Sequence, residues 1–239
     1  MCGRFTLRTP TVEVARQFLE LVPVTAWPPL KPRYNIAPTQ MVAAIRWPSE
    51  HTQPDVSMLH WGLIPSWSKD KKMSARMINA RGETVWEKPA FRRAFSRRRC
   101  LIPADGFYEW RVEGSRKLPI HISRTDLSTF CFAGLWESWS GPEGVIESTT
   151  IITTGANSQM QSLHDRMPLI LDTSEYIPWL RGPRLAGVAD PLATTEKGEV
   201  EWLKSLVTIR DEPLLQFHPA NPIMNSARID APECLDFPE

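Results

Sequence analysis

Hydrophobic residues along the chain fall mostly into short runs with the composition of β-strands. Each run is rich in aliphatic, β-branched and aromatic residues, a pattern that predicts a strand. The runs are MVAAIRW, VSMLHWGLI, CLIPADGFYEWRV, LPIHISR, TFCFAGLWESW, STTIITTGA and PLILD. Because no regular alternation of strands and helices accompanies them, the pattern favours a mostly antiparallel sheet over a parallel βαβ sheet.

Helical periodicity is confined to a few short segments. An early helix is predicted in TPTVEVARQFLELV, where Thr9 and Pro10 are start signals. Its apolar stripe is formed by Val12, Ala15, Phe18, Leu19 and Val22. KPAFRRAF predicts a second short helix, and SEYIPWLRG and EWLKSL are weaker candidates.

Two proline-containing segments are predicted to be irregular. The run VPVTAWPPLKPRYNIAP cannot be helical, and we expect an extended, ordered loop. The C-terminal QFHPANPIMNSARIDAPECLDFPE is rich in Pro and Asn and is expected to pack without regular structure. With no repeats and no long linker, residues 1–239 are predicted to form a single α+β domain with a barrel-like sheet and a few short helices.

Composition narrows the class of protein. A hydrophobic content of 42% over 239 residues is ample for a packed core. No stretch approaches the roughly 18–20 apolar residues of a membrane helix, and MCGRFTLRTP lacks the apolar region of a signal peptide, so we expect a cytoplasmic protein. The four cysteines lie far apart without a C-x-x-C pair, which predicts reduced thiols, no metal and no cofactor.

Positive charge is concentrated locally although the formal net charge is only +1. RRAFSRRRC, residues 92–100, holds five arginines. Such a strip can bind phosphate, or it can be a solvated arginine-rich turn, and the sequence leaves both interpretations open. Ten tryptophans would permit base stacking, although most tryptophans are core residues.

Cys2 is the first candidate for chemistry, because removal of Met1 would give it a free α-amine. That amine has an unperturbed pKa of about 7.7–8.0, against about 10.4 for lysine, so much more of it is a neutral nucleophile at pH 7. An amine beside a thiol can react twice with one aldehyde, first forming an imine and then closing a thiazolidine ring. The alternative is an incidental cysteine packed under the sheet as a small apolar residue.

The segment INARGET supplies the first candidate partners for Cys2. If the segment is extended, Asn79 and Arg81 share one face. An amide can orient a nucleophile without titrating, and an arginine is suited to phosphate.

The segments ADGFYEW and LHDRMP supply proton-transfer candidates. Asp105 and Gly106 signal a turn, after which parity puts Glu109 beside Phe107 on one face of a strand. A carboxylate flanked by aromatic residues could serve as an acid or base, although a lone surface Glu is the simpler interpretation. His164 can exchange protons near neutral pH, or it can be a structural histidine.

Taken together, these motifs resemble the SRAP family of abasic-site processing proteins, formerly called SOS-response-associated peptidases. The matching stretches are MCGRF, PRYNIAPTQ, WGLIPSW, INARGET, RRRCLIPADGFYEW, FAGLWE, TIITTGAN and HDRMPLIL. They span residues 1 to about 172, and their combination is specific. The C-terminal FHPANPIMNSARIDAPE fits more loosely, and no role is assigned there.

The resemblance implies a covalent DNA–protein crosslink at abasic sites in single-stranded DNA, whose ring-opened sugar presents an aldehyde. Carried over to this sequence, Cys2 is the covalent residue, and Asn79, Glu109 and His164 are its active-site companions. Asn79 would hold Cys2, Glu109 would shuttle protons, and His164 would assist opening of the sugar ring.

The resemblance also implies a set of DNA contacts, made without base readout because every nucleotide offers a phosphate and an aromatic face. Arginines would bind phosphates, tryptophans would stack on or wedge between bases, and the PRYNIAPTQ loop would line the groove. The residues are Arg4, Arg81 and Arg166; Trp61, Trp67 and Trp110; and Asn35, Ala37, Pro38 and Thr39. We expect a monomer that binds single-stranded DNA, including single-strand/double-strand junctions.

Two other functions compete with this hypothesis. One is an N-terminal-nucleophile hydrolase in which the Cys2 thiol attacks an amide with His164 as base. The other is a non-catalytic single-strand binder that would tolerate loss of Cys2. The sequence also leaves open whether the crosslink is reversible and whether a lyase reaction cuts the strand.

Overall fold

The computed structural model describes residues 2–48, 51–182, 187, 196–208 and 214–237. Its strands are β1 (Phe5–Leu7), β2 (Arg33–Ile36), β3 (Met41–Arg46), β4 (Asp55–Trp61), β5 (Asn79–Arg81), β6 (Arg99–Ala104), β7 (Gly106–Glu113), β8 (Arg116–Arg124), β9 (Phe130–Gly141), β10 (Gly144–Gly155), β11 (Arg166–Pro168), β12 (Ile170–Leu171) and β13 (Leu215–Pro219). Its α-helices are α1 (Thr11–Gln17), α2 (Arg92–Arg97), α3 (Tyr176–Arg181) and α4 (Glu196–Leu206). Short 3₁₀ helices span Val24–Ala26, Lys71–Arg76, Gly82–Thr84, Thr173–Glu175, Pro222–Asn225 and Pro232–Cys234. Within these ranges, no helix combines the length and the apolar character that crossing a membrane requires.

Five strands of the described chain close into a barrel. Their order is β4, β3, β6, β9 and β10, and β10 returns to β4. The β10–β4 contact is parallel and the other four contacts are antiparallel. Because the barrel is closed, each of these strands has a hydrogen-bonded neighbour on both sides at its middle. The barrel is therefore a rigid support for the strands and turns at its ends.

The C-terminal half of β10 carries the elements that matter for the candidate site. Beyond its contact with β4, β10 pairs with β5 in parallel and with β11 in antiparallel orientation. Thr153 lies opposite Arg81 on β5, and Gly155 lies opposite Arg166 on β11. The motifs INARGET and HDRMP, about 80 residues apart in sequence, therefore meet along one strand.

A second sheet has the order β13-β8-β7-β1-β2, with every pair antiparallel. The chain passes from the barrel to this sheet at Asp105, between β6 and β7. The Asp105 carboxylate accepts hydrogen bonds from the Thr6 hydroxyl and the Arg8 N–H, both at 2.6 Å, which ties the corner to β1. Only glycine fits the next position, because a Cβ on Gly106 would overlap the His121 ring.

The main core contains apolar side chains from the barrel and from the second sheet. Phe5 on β1 lies edge-on to Trp61 at 5.2 Å and to Phe132 at 5.7 Å, joining the sheet to the barrel. All three side chains are fully buried or nearly so, and burial of each phenylalanine contributes about 1.5–3 kcal/mol. The segment that follows Cys2 is therefore anchored firmly.

A smaller cluster covers the other face of the second sheet. Tyr108 on β7 packs there with Ala220, Met224 and Cys234 from the C-terminal segment. Phe107, the preceding residue, belongs to the main core. The predicted alternation of faces along ADGFYEW is thus confirmed.

The predicted α+β class with a mostly antiparallel, barrel-like sheet is confirmed. Each predicted strand segment contains a strand, and CLIPADGFYEWRV contains two because of the corner at Asp105. Two predictions of irregular structure are wrong in part. Arg33–Ile36 and Leu215–Pro219 are strands, because β1 and β8 pair with them across long sequence distances. That residues 1–239 form one domain stays a prediction.

The predicted helices exist, but the first is shorter than its pattern suggested. It ends at Gln17, and the apolar stripe is shifted: Val14 is buried while Val12 and Leu19 are half exposed, at 50% and 53%. The pattern for a long amphipathic helix fails here because the chain turns at Phe18 to pack that ring against Trp27, 5.9 Å away.

Candidate active site

Cys2 lies just before β1 and is completely enclosed, with 0% of the residue exposed in a chain that still carries Met1. Its thiol donates a long hydrogen bond to the Arg4 carbonyl oxygen, with Sγ 3.8 Å from the oxygen. Burial raises the pKa of the Cys2 thiol well above its usual range, and the nearby charge of Glu109 raises it further. The sulfur is therefore a neutral thiol at pH 7.

Burial alone would equally fit an inert apolar cysteine, so the groups around Cys2 decide the interpretation. Asn79, the first residue of β5, donates a hydrogen bond from Nδ2 to the Cys2 carbonyl oxygen at 2.8 Å. Its Oδ1 is buried and accepts no hydrogen bond from any described residue. The Asn79 amide thus fixes the backbone of Cys2 and presents an acceptor in a buried place; that it serves the chemistry of Cys2 stays a prediction.

Glu109 lies on β7, in register with Ile120 on β8, and only 3% of it is exposed. Its influence on the thiol pKa means that the carboxylate lies close enough to Cys2 for a direct electrostatic effect. The negative charge of this buried carboxylate therefore opposes ionisation of the Cys2 thiol.

His164 precedes β11 and is 29% exposed. Its Nδ1 accepts a hydrogen bond from the Arg166 backbone N–H at 2.9 Å and also lies 2.9 Å from the Asp165 carboxylate. Because the Arg166 N–H makes Nδ1 an acceptor, Nε2 carries the proton of the neutral ring. That His164 transfers protons stays a prediction.

Two arginines predicted to bind phosphate lie on either side of β10 near Thr153. Arg81 is exposed, and its side chain makes no hydrogen bond or ion pair with the described residues. Arg166 is mostly buried, and its Nη2 donates to the Thr153 carbonyl oxygen at 2.7 Å. Its Nη1 and Nη2 also bind the carboxylate of Glu83, at 2.6 and 3.0 Å.

The structure gives Arg4 and Asn35 different surroundings from those predicted. Asn35 is fully buried, and its Nδ2 donates to carbonyl oxygens of the C-terminal segment, including that of Met224 at 2.9 Å. Arg4 donates to Asn35 Oδ1 at 2.9 Å and to the Met224 carbonyl at 2.7 Å. The Asn35 amide therefore anchors the C-terminal segment, and a place for Asn35 in the DNA groove stays a prediction. Arg4 shares the anchoring function.

The loop at residues 37–39 is held against the end of β4. Ala37 is buried, Pro38 is half-buried and Thr39 is exposed. Thr39 has a positive φ of 70°, unusual for a β-branched residue, and its N–H donates to the Trp61 carbonyl at 2.8 Å. Of the three residues, Thr39 offers its side chain to solvent.

The three tryptophans predicted to meet DNA differ sharply in exposure. Trp61 is 0% exposed, and its Nε1 donates to the Ile78 carbonyl at 3.0 Å, so in this structure its ring is a core side chain. Trp67 is 59% exposed. Trp110 is half-buried, and its Nε1 donates to Asn225 Oδ1 at 2.8 Å.

The arginine strip divides between the two interpretations left open by the sequence. Arg99 is buried; burial lowers its pKa to about 10, and its Nη1 donates to the Phe95 carbonyl at 2.8 Å. Arg98 forms an ion pair with Glu137. The remaining arginines of the strip are exposed: Arg92, Arg93 and Arg97. Two of the five are thus structural, and three present charge to solvent.

Two features near the site were not singled out from the sequence. Glu83 follows Arg81 by two residues within INARGET, and the motif alone gave no sign that it would bind Arg166. The C-terminal segment reaches Arg4 and Trp110 through Met224 and Asn225, more than 100 residues away in sequence. No local pattern signals such long-range contacts.

Comparison with known proteins agrees with the fold and the motifs. The sequence model of the SOS response associated peptidase (SRAP) family matches residues 1–208. The chain is 37% identical to the abasic site processing protein YoqW of Bacillus subtilis over 240 residues, covering 99% of each chain. It is 29% identical to the abasic site processing protein HMCES of Xenopus tropicalis, over 98% of this chain and 78% of that one. A crystal structure of a protein from Bacteroides thetaiotaomicron matches with a TM-score of 0.77 and 25% identity, over 98% of each chain. The chain therefore belongs to the SRAP family.

Proposed function

We propose that this protein processes abasic sites by forming a covalent thiazolidine between Cys2 and the ring-opened sugar in single-stranded DNA. The observation that carries the proposal is the hydrogen bond from Asn79 to the Cys2 carbonyl, beside the buried carboxylate of Glu109. The names of the relatives, abasic site processing proteins, support the substrate class.

The reaction uses both nucleophiles of an N-terminal cysteine. After removal of Met1, the neutral α-amine of Cys2 adds to the C1′ aldehyde, and loss of water gives an imine. The thiol S–H then adds across the C=N bond: sulfur bonds to C1′ and the nitrogen takes up a proton. The net change is the loss of one water, and no oxidant or reductant takes part.

Three side chains support these steps. Glu109 accepts and returns protons as the amine adds and as sulfur attacks. Asn79 fixes the Cys2 backbone so that amine and thiol address the same carbon. His164, whose Nδ1 accepts the Arg166 backbone N–H, assists opening of the sugar ring. General acid–base assistance of this kind is typically worth 10²- to 10⁴-fold in rate.

The state of the thiol favours this scheme over a cysteine hydrolase. A hydrolase needs a thiolate as its first nucleophile, and the burial and neighbouring charge that raise the pKa of Cys2 oppose one. In the proposed order the amine attacks first, and the neutral thiol reacts only after the more electrophilic imine has formed.

The non-covalent contacts are proposed to be insensitive to base sequence. Arg81 and Arg166 supply positive charge along β10, and the exposed Trp67 offers a ring for stacking or wedging. Specificity then comes from the aldehyde of the lesion.

The test is a denaturing gel with a labelled abasic single strand, in the presence or absence of borohydride. Wild-type protein should give a crosslink that survives denaturation without reductant. Cys2→Ser keeps the amine but lacks the sulfur, so its imine should form and stall; we expect little crosslink without borohydride and a strong band with it. Cys234→Ser, which removes another buried free thiol, serves as the matched control and should behave like wild type.

The outcomes separate the competing functions. A hydrolase would leave no DNA-shifted band with any variant. A non-catalytic binder would bind intact and abasic strands equally and would not respond to Cys2→Ser. If Cys2→Ser still binds the strand but cannot be trapped, the α-amine is not the first nucleophile and the proposed scheme is wrong.

A further inference from the structure

The side chain of Arg166 is already bound to an anion within the protein. Its Nη1 donates to Glu83 Oε1 at 2.6 Å and its Nη2 to Glu83 Oε2 at 3.0 Å. This two-point arrangement of guanidinium and carboxylate is also the arrangement in which arginine binds two oxygens of a phosphate. The Glu83 carboxylate thus occupies the position that a DNA phosphate would take on Arg166.

Other groups of the protein surround the place where the Glu83 carboxylate binds Arg166. The backbone N–H of Gly155, which lies opposite Arg166 in the β10–β11 register, also helps to lower the pKa of the Glu83 carboxyl group. Arg166 is fixed from behind, because Nη2 donates to the Thr153 carbonyl and to the Thr153 hydroxyl at 3.1 Å. The guanidinium and the Gly155 amide therefore keep their positions whichever oxyanion they bind.

The two partners differ in their freedom to move. The Arg166 side chain is only 16% exposed, whereas that of Glu83 is 47% exposed. Partial burial alone would raise the pKa of Glu83, but hydrogen bonds and charge from Arg166 outweigh it and hold the pKa below its ordinary value. At neutral pH the carboxylate is charged, and it has solvent into which it can swing.

The geometry points to Glu83 as an internal competitor for phosphate at Arg166. A strand that binds must displace the carboxylate or share the guanidinium with it, and either event costs binding free energy. Glu83 thereby lowers the non-covalent affinity of the protein for every strand, intact or damaged. An abasic strand is retained by its covalent bond, whereas an intact strand is released. Glu83 is thus a specificity-determining residue: its negative charge disfavours binding of intact strands, which have no covalent bond to retain them.

The inference rests on the proposed function for the identity of the ligand, and its test uses a strand that cannot crosslink. Binding of a fluorescent, intact single strand would be measured by anisotropy at several salt concentrations. We expect Glu83→Gln to bind about 3- to 10-fold more tightly at low salt. We also expect a steeper salt dependence, by about 0.7 in slope, since one more phosphate contact forms.

Two comparisons isolate the effect of Glu83. Glu143→Gln makes the same change in net charge in the β9–β10 hairpin, roughly 30 Å along β10 from Thr153, and should leave affinity near that of wild type. In an Arg166→Gln background, Glu83→Gln should have no effect, since the group for which it competes is gone. Thermal unfolding of each variant checks that the fold is retained.

The result that overturns the inference is unchanged or weaker binding by Glu83→Gln, which would make Glu83 a residue that positions Arg166 for DNA. Equal tightening in the Arg166→Gln background would also overturn it, because the effect would then be general repulsion. A protein that binds intact strands as expected but never crosslinks an abasic strand would refute the proposed function and leave this inference standing.

Discussion

His121 is a buried ionisable residue at the corner where the chain leaves the barrel for the second sheet. The Thr6 hydroxyl donates to Asp105 and lies 3.2 Å from His121 Nε2, so a neutral ring with its proton on Nε2 completes the network. The pKa of His121 is lowered to about 3, first by burial and then by the charges of Arg8 and His218, while the charge of Asp105 opposes the shift. Protonation of this ring therefore favours the unfolded state over the folded one.

This predicts a specific pH dependence of stability. Because the ordinary pKa of 6.5 applies in the unfolded chain, that state binds a proton between about pH 6.5 and 3 while the folded state does not. Stability contributed by His121 is thus full above pH 6.5 and falls as the pH drops, by at most about 1.4 kcal/mol per pH unit. Urea unfolding between pH 7 and 4 should show a steeper decline for wild type than for His121→Gln. Parallel pH dependences would contradict a neutral buried ring.

At the scale of elements, the C-terminal segment after β13 is held to β2 by hydrogen bonds from a side chain, not by strand pairing. Asp230 Oδ1 accepts the backbone N–H groups of Tyr34, at 2.6 Å, and Asn35, at 2.9 Å. Its other oxygen pairs with Arg33. Neither partner could be predicted from local sequence, since nearly 200 residues separate them. The tail has the composition of a loop, and these contacts with β2 hold it in place.

Asp230→Ala should release this segment. The substitution leaves two backbone N–H groups and the Arg33 guanidinium without their acceptor, and we expect a loss of about 2–4 kcal/mol in unfolding free energy. Hydrogen exchange at the amides of Tyr34 and Asn35 should accelerate together. Asp236→Ala, a nearby exposed carboxylate, is the control and should change neither quantity measurably. Loss of stability without faster exchange at β2 would mean that Asp230 acts elsewhere.

At the scale of the molecule, the candidate site forms where the second sheet meets the barrel. The second sheet contributes Cys2, just before β1, and Glu109 on β7, and β5, which pairs with the barrel strand β10, contributes Asn79. His164 lies in the turn between β10 and β11. The motifs predict these residues from sequence, because the chemistry of each is local to a short segment, and their roles stay predictions. The sequence could not show which of the predicted contact residues are buried: Trp61 and Asn35 lie in motifs, and the fold encloses both side chains.

The distribution of charge over the molecule predicts how DNA binding responds to salt. A net charge of +1 provides little long-range attraction, so binding should depend on a few local cations, of which Arg81 is exposed and unpaired among the described residues. Arg81→Ala should weaken binding to single strands by the same factor for every base sequence and reduce the salt slope by about 0.7. Anisotropy titrations with thymine, adenine and mixed strands would measure both quantities, with the exposed Arg16→Ala on α1 as the matched control. A phosphate contact removes one counterion-release event and no base information, so a loss confined to one sequence would instead identify Arg81 as a base-reading residue and contradict the proposed lesion-directed specificity.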